Sequence, residues 1–429
     1  MKVEAYSLAQ TLRRRLATLI GAVLIGLLAL VFAAIADQAQ GLFGWLSARL
    51  GLFVLVLTPV TFALLSYLTV RFVPEARGSG IPQVIAAAPL PQPQLSPLLS
   101  ARTAAAKLVL TIAGLLVGAS SGREGPTVQI SAAVMVAVHR LLHVPLSAAV
   151  VIAGGAAGVS AAFNTPLAGI TFALEELAAA YEQRLAVLAM AAVVIAGLVS
   201  LALSGDYVYF GSLHDSLPLS RGLLIVPIIA VIGGTAGAAF SRLVLLFSRG
   251  TGAVLTVLKR RPMLFAASCG LVVAVVGFLS GGASWGTGYG PAKALIEGAS
   301  EPGWFAPAKF LATLATAISG IPGGVFAPSL SVGAGLGGLL SPLFGDTPTG
   351  VIALIAMTAY FVGVVRAPLT SVIIITEMTD GRSMLLALLA TAIIAEGVAS
   401  VVCPERLYHG LAKGFRPHPD HALEPSATP

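Results

Sequence analysis

Long runs of hydrophobic residues recur along the whole chain and predict membrane-spanning helices. An outer-membrane barrel would instead show short segments of alternating polarity. In an all-helical protein, each spanning segment satisfies its own backbone hydrogen bonds. The pattern therefore predicts an all-α polytopic membrane protein. The runs that predict simple spans are 16–35, 50–70, 185–203, 223–246, 264–279, 350–365 and 385–402.

Two further apolar stretches are interrupted in a way that simple spans are not. The stretch 103–177 is broken at 122–126 and at 164–166, and the stretch 305–343 is broken across 320–328. Helices can stop inside a membrane only where the broken backbone is buried in protein or faces a water-filled cavity. We therefore expect tilted and broken helices in addition to full spans.

The chain carries an internal repeat. Three pairs of landmarks are each 202 residues apart: Pro126 and Pro328, Pro166 and Pro368, and Glu175 and Glu377. The spacing predicts two halves, about 16–205 and 222–410, within one transmembrane domain covering 1–429, with short cytosolic termini at 1–15 and 411–429. Duplicated halves with broken helices at matching places are typical of transporters that bind substrate at the repeat interface. The spacing alone leaves open whether the halves are parallel or inverted.

Composition and charge agree with a membrane protein and exclude several other classes. Charged residues make up 10% of the chain, against about 25% in soluble domains, and 57% of residues are hydrophobic. The net charge of +7 does not indicate a nucleic-acid partner, because the basic residues lie at the chain ends and between apolar runs. By the positive-inside rule both termini are expected in the cytoplasm, since basic residues cluster there: Arg13, Arg14, Arg15, Arg406, Lys413 and Arg416.

Three short motifs have the sequence of a helix start placed within apolar surroundings. They are Gly78-Ser79-Gly80-Ile81-Pro82, Gly122-Arg123-Glu124-Gly125-Pro126 and Gly324-Val325-Phe326-Ala327-Pro328. Pro suits the first turn of a helix, and helix N-termini present free N–H groups that favour anions. If the three motifs converge, with Ser79 near the first helix cap, they form an anion site without a full positive charge. The alternative is that each motif is a loop between spans.

Carboxylates near these motifs are candidates for proton handling. Glu124 lies beside the expected anion site, so it could occupy that site when ionised and leave it when protonated. Glu175 and Glu176 close an apolar helix and point about 100° apart, so at most one of them faces a given pathway. Intramembrane carboxylates often serve as proton relays, and an interfacial pair is the alternative. Glu377 is predicted to be structural, and the roles of Glu175, Glu396 and Lys107 stay open.

Two other interpretations concern residues outside these motifs. Tyr408 follows the last apolar run, where a tyrosine serves either as an interfacial anchor or as a hydroxyl donor to an anion. A serine–histidine hydrolase would have to use Ser120 or Ser121 with His139 or His143, but no acid partner is evident. We therefore expect no enzyme activity, no metal site and no cofactor.

Taken together, the three motifs resemble those of the CLC family of chloride channels and proton-coupled chloride transporters. They occur in the family's order, and the segments beginning at Asn164 and Arg366 are also similar to family landmarks. The resemblance implies inverted-topology halves and a homodimer with one pathway per subunit. It implies that chloride is held by Ser79, Tyr408 and the backbone N–H groups of Val325 and Phe326, and Gly125 is a further candidate.

The same resemblance implies a coupled transport function. Glu124 would be the external gating carboxylate, and Glu176 matches the internal proton-transfer glutamate of exchanging members, so an antiporter of chloride and protons is expected. A passive chloride-selective channel of the same fold is the alternative. Ser79 stands where nitrate-preferring relatives carry proline, which favours chloride. The paired cytosolic regulatory domains of many eukaryotic members have no counterpart here, so a prokaryotic type in the bacterial plasma membrane is expected.

Overall fold

The computed structural model describes residues 2–90, 95, 97–177, 183–205, 209–213, 215–250 and 260–416. These residues form helices joined by turns, as the hydropathy pattern predicts. The helices are α1 (Lys2–Leu50), α2 (Val54–Phe72), α3 (Ile81–Ala87), α4 (Ala101–Leu115), α5 (Glu124–Leu141), α6 (Ala148–Phe163), α7 (Pro166–Phe172), α8 (Gln183–Ser204), α9 (Leu219–Arg249), α10 (Pro262–Leu279), α11 (Tyr289–Ile296), α12 (Phe305–Ile318), α13 (Phe326–Leu340), α14 (Thr349–Val365), α15 (Pro368–Thr379), α16 (Leu385–Val402) and α17 (Leu407–Ala412). A π-helical turn, Ala173–Leu177, extends α7.

Full spans and short apolar helices occur together. Within the described residues, 5 helical segments are long and apolar enough to cross a membrane. Other apolar helices, including α6, α12 and α14, have 17 residues or fewer. The simple spans that the sequence predicts are helical throughout, apart from 50–70, whose first residues form the end of α1 and a 3₁₀ turn at Gly51–Phe53.

The first described residues are helical. Residues 2–15, predicted to form a short cytosolic terminus, continue without interruption into α1. No proline occurs between Lys2 and Leu50, and the helix stops where Gly51 adopts a positive φ of 52°. At the other end, α17 is followed by a 3₁₀ turn, Lys413–Phe415, and residues 417–429 lie outside the described part of the chain.

Equivalent helices of the two halves end in the same way. Asn164 ends α6 with φ 56° and ψ 37°, and Arg366 ends α14 with φ 60° and ψ 40°. These residues are 202 positions apart, and a proline begins a new helix two residues later in each case. A residue in the left-handed conformation at the end of a helix turns the chain sharply. The chain therefore changes direction at the equivalent position in each half.

Two glutamates cap helices across the boundary between the halves. Glu377 accepts hydrogen bonds from the backbone N–H groups of Leu167 (3.3 Å) and Ala168 (3.0 Å) at the start of α7. Glu175 accepts hydrogen bonds from Leu369 (3.0 Å) and Thr370 (2.6 Å) at the start of α15. A carboxylate at a helix N-terminus satisfies free N–H groups and complements the helix dipole. The role of Glu175 that the sequence left open is therefore structural, as it is for Glu377.

This capping is reciprocal, which defines how the halves are related. Every residue in one cap is 202 positions from its counterpart in the other, and Gly122 and Gly324, also 202 apart, pair with each other in an antiparallel bridge. Reciprocal contacts between equivalent residues require a two-fold relation. The sequence repeat is thus a structural repeat, and its pseudo-two-fold axis passes beside Gly122 and Gly324.

Small residues let helices approach closely at the core. A Cβ atom on Gly237 of α9 would collide with the backbone carbonyl of Tyr360 in α14, and one on Gly363 would meet the backbone of α9 at 2.6 Å. In lipid no hydrophobic driving force brings helices together, so close packing of this kind stabilises their association. The abundant glycine of the sequence is used here for packing.

We predict that Glu377→Ala lowers the free energy of unfolding by about 1–2 kcal/mol, because two N–H groups at the start of α7 lose a charged acceptor. Glu175→Ala should have a similar effect on α15. Denaturant titration of the purified protein in detergent measures both.

The matched control is Glu297→Ala, which removes an exposed carboxylate whose ion-pair partner is Lys293, four residues earlier on the same segment (3.7 Å). We expect a change below about 0.5 kcal/mol for this variant. If Glu377→Ala and Glu175→Ala were no less stable than the control, the capping roles assigned to these glutamates would be wrong.

Candidate functional site

The three helix-start motifs meet directly through their backbones. Gly122 donates to the carbonyl of Gly324 (2.8 Å), and Gly324 donates to the carbonyl of Gly122 (2.9 Å). The N–H of Gly323 donates to the carbonyl of Gly78 (3.1 Å). The convergence expected from the sequence is therefore present, and the loops before α3, α5 and α13 form one junction.

The first motif depends on glycine and on a buried lysine. Gly78 and Gly80 have φ of 62° and 111°, which side-chain-bearing residues rarely adopt. Gly80, rather than Ser79, occupies the N-cap position of α3. The buried ammonium of Lys107 donates to the carbonyls of Gly78 (2.7 Å) and Arg77 (3.3 Å) and fixes the loop. The open role of Lys107 is thus to hold this loop in place.

The second motif places Arg123 and Glu124 at the start of α5. The buried Arg123 guanidinium pairs with Asp37 (2.6 Å) and donates to the carbonyl of Ala33 (2.8 Å) and the hydroxyl of Tyr209 (2.6 Å). A buried charge needs such partners. Arg123 therefore ties α5 to α1 and keeps its charge away from the junction.

Glu124 is fully buried next to the junction. Its Oε1 accepts a hydrogen bond from the hydroxyl of Tyr289 at 2.5 Å, while its Oε2 has no hydrogen-bond partner among the described residues. The ring of Tyr289 stacks on that of Tyr209, with centroids 5.1 Å apart. In this conformation the carboxylate is held by a side chain of the second half of the chain.

Tyr289 was not among the residues expected from the sequence, although a signal for it is present. Residues 286–291 read Gly-Thr-Gly-Tyr-Gly-Pro, and Gly286 and Gly288 have φ of 60° and 81°, close to the pattern of the loop before α3. Lys309, which is 202 residues after Lys107, donates to the carbonyls of this second loop at Ser284, Trp285 and Gly286. The loop is thus the counterpart of the first motif in the other half.

The third motif starts α13, with Val325 at the N-cap position and Phe326 as the first helical residue. The first N–H groups of a helix have no acceptor within it. Val325 lines a cavity of about 440 Å³ together with Ser79 and Tyr408. The hydroxyls of Ser79 and Tyr408 are buried without hydrogen-bond partners in the described structure. Free hydroxyl donors beside free amides form a site suited to an anion.

Tyr408 packs beside the third motif. Its ring packs against Phe326, with centroids 5.8 Å apart, and Tyr408 lines the same cavity as Ser79. Tyr408 is fully buried in α17, so of the two interpretations left open by the sequence it is not an interfacial anchor.

Glu176 is the second buried carboxylate of this region. It lies in the π-helical turn after α7, is fully buried, and neither of its oxygens has a hydrogen-bond partner in the described residues. Its titratable neighbour on α17 is His409, whose Nδ1 is 3.3 Å from Oε1. The side chain of Glu175 points in another direction and caps the start of α15, as expected for adjacent residues on a helical turn.

The remaining candidates have structural partners. Glu396 pairs with Arg366 (2.8 Å), which settles the open role of Glu396. Ser120 bonds to Thr313 (2.9 Å), and His139 bonds through Nδ1 to the carbonyl of Met135 (2.9 Å). These partners do not assemble a serine–histidine pair from Ser120 and His139.

Comparison with known proteins identifies the family. Residues 61–400 match the profile described as "Voltage gated chloride channel". The chain belongs to this family, the CLC family. It is 30% identical to the "H(+)/Cl(-) exchange transporter ClcA" of Yersinia pestis bv. Antiqua (strain Angola), over 90% of this chain and 87% of the relative.

Solved CLC structures share the fold. A structure described as a slow cyanobacterial Cl⁻/H⁺ antiporter superposes with a TM-score of 0.78 and 23% identity, covering 94% of this chain and 97% of that one. A CLC-type fluoride/proton antiporter gives a TM-score of 0.76 and 21% identity, covering 92% and 96%. The predicted all-α polytopic fold with CLC-like inverted repeats is confirmed, as is the prokaryotic-type family assignment.

Within this CLC chain, the structure brings together most of the residues singled out from the sequence. Ser79, Val325 and Tyr408 line one cavity, and Gly125 lies against the first motif, since a Cβ atom there would collide with the Ser79 hydroxyl. Tyr289 and His409 join them as further residues of the candidate site that the sequence did not predict. Both contact a candidate carboxylate from a distant part of the chain.

Proposed function

We propose that this CLC protein is a secondary active antiporter that exchanges chloride for protons across the membrane. The observation that carries the proposal is a pair of fully buried carboxylates: Glu124 at the start of α5, and Glu176 next to His409, the residue after Tyr408. Buried carboxylates are costly in a membrane and are suited to proton transfer. Similarity to proteins named as H(+)/Cl(-) exchange transporters supports the same function.

Chloride would bind where the helix starts converge. The hydroxyls of Ser79 and Tyr408 and the backbone N–H groups of Gly125, Val325 and Phe326 supply donors without a full positive charge. A site of this kind binds an anion and still releases it, because no ion pair forms in a low dielectric.

Glu124 would act as both gate and proton carrier. When ionised, its carboxylate competes with chloride for the free N–H groups of α5 and α13. When protonated, it leaves those donors to chloride and is held by the Tyr289 hydroxyl (2.5 Å). The Glu124 side chain excludes chloride when it is ionised and carries a proton when it is protonated. In this mechanism, movement of one ion is therefore tied to movement of the other in the opposite direction.

The proposal also covers the membrane, the orientation of the termini and the oligomeric state of the antiporter. We propose a multi-pass protein of the bacterial plasma membrane with both termini in the cytoplasm, since basic residues cluster at both ends. Glu176, next to His409 of α17, would then be the carboxylate nearer the cytoplasm. One chain contains both carboxylates and the anion site, so the homodimer expected for this family would have one pathway per subunit.

We predict that Glu176→Gln keeps chloride flux and loses proton coupling, because an amide cannot carry a proton to Glu124. In reconstituted vesicles with a chloride gradient, the wild-type protein should drive uphill proton movement. The variant should reduce that movement by at least about tenfold. Simultaneous chloride-electrode and pH recordings measure both fluxes.

The matched control is Glu175→Gln, since Glu175 is the adjacent carboxylate and serves as a cap on α15. It should keep proton coupling. Chloride flux without uphill proton movement in the wild-type protein would contradict exchange and establish a passive chloride channel of the same fold.

We also predict that Glu124→Gln makes chloride flux independent of pH over about pH 4–8, because the gate then has no charged form in this range. Tyr289→Phe keeps the carboxylate and should keep a pH response. Chloride flux measured at a series of symmetrical pH values tests this prediction. A retained pH response in Glu124→Gln would exclude Glu124 as the gate.

A further inference from the structure

His409 forms a contact between solvent and the buried Glu176. The side chain of His409 is 37% exposed, while that of Glu176 is 0% exposed. Nδ1 of the histidine is buried, has no hydrogen-bond partner in the described residues, and lies 3.3 Å from Oε1 of Glu176. One side chain thus reaches both water and the carboxylate.

A carboxylate enclosed in this way needs a route by which protons arrive and leave. Groups that exchange protons lie within hydrogen-bond reach of each other or are joined by one water, and such contacts shorten when the system is active. Histidine has two ring nitrogens that accept and donate protons near neutral pH. We propose that His409 carries protons between cytosolic water and Glu176. This inference rests on the proposed function, in which Glu176 is a proton-transfer group.

The transfer is balanced for one proton. Water on the cytosolic side delivers a proton to Nε2 of the neutral ring, which then carries a proton on each nitrogen. The Nδ1–H bond breaks as the O–H bond forms on Oε1 of Glu176, and the ring is again neutral with its proton on Nε2. To restore the starting tautomer, the ring turns about its Cβ–Cγ bond so that Nδ1 meets water, gains a proton there while Nε2 loses one, and turns back. Release of a proton from Glu176 follows the same steps in reverse.

Among the described residues, Glu405 and Arg406 have partners of their own. Glu405 pairs with Arg249 of α9 and with Lys413 (2.8 Å), and Arg406 donates to the backbone carbonyl of Glu175 (3.2 Å). The helix α9 also carries Arg242. The helices α3 and α14, which also pack against α17, carry no charged side chains. Of these carboxylates, Glu176 is therefore the one with free oxygens facing the histidine.

The test uses His409→Asn and His409→Ala in reconstituted vesicles. Asparagine keeps a nitrogen or oxygen near the position of Nδ1 but cannot titrate. General acid–base groups contribute typically about 10²–10⁴-fold, and because water also reaches this end we expect a loss of about tenfold in proton flux. Chloride flux should persist in both variants, which shows that the protein is folded and inserted. Proton flux in both variants should also depend less on cytosolic pH than it does in the wild-type protein.

Imidazole separates proton transfer from a structural role. Added on the cytosolic side, it should restore proton flux in His409→Ala and leave the wild-type protein unchanged. The matched control is His143→Asn, which makes the same change at an exposed histidine with φ 54°, a conformation that asparagine tolerates. This control should keep wild-type proton flux.

Unchanged proton flux and pH dependence in both His409 variants would overturn the inference. So would a loss of proton flux that imidazole does not restore, because the histidine would then only position its neighbours. The Glu176→Gln variant, measured in parallel, distinguishes this failure from that of the proposed function. If Glu176→Gln is uncoupled while His409→Asn is normal, only the role of His409 is wrong.

Discussion

Helix N-termini inside a membrane must find acceptors for their free N–H groups, and this requirement shapes the whole structure. The chain meets it in two ways. At the starts of α7 and α15 the acceptors are permanent, because Glu377 and Glu175 occupy them. At the junction of α3, α5 and α13 no fixed carboxylate fills the site, so an exchangeable anion or Glu124 can do so. In this account, free N–H groups at a helix start contribute to stability in one place and to anion transport in the other.

The loops around the junction are fixed by other groups, so the first N–H groups of its helices remain available. Lys107 and Lys309 hold the two glycine loops by their carbonyls, and Arg123 is bound to Asp37 on α1. The charges of Lys107, Lys309 and Arg123 are therefore satisfied outside the candidate anion site. Within it, donors are hydroxyls and amides, which favour an anion moderately. The two-fold relation of the halves places one such loop on each side of the junction.

Local signals made much of this predictable from the sequence. Glycine and proline mark helix breaks directly, so the three motifs and the repeat of 202 residues could be read from the chain. Contacts between distant segments could not. Tyr289 meets Glu124 across 165 residues, and His409 meets Glu176 only because α17 packs beside the turn after α7. Glu175 and Glu176 are adjacent but have different surroundings, because their side chains point in different directions. Predicting this difference requires knowing what packs on each side of the turn.

The proposed mechanism depends on helix N-termini that bind the anion at a place that Glu124 can also fill. Anomalous diffraction from crystals grown in bromide measures this directly. We expect a bromide peak within hydrogen-bond distance of the N–H groups of Val325 and Phe326 and the hydroxyls of Ser79 and Tyr408, with a further peak beside the start of α5 in Glu124→Gln. Bromide density confined to other parts of the protein, in both the wild-type and the variant crystals, would contradict this mechanism.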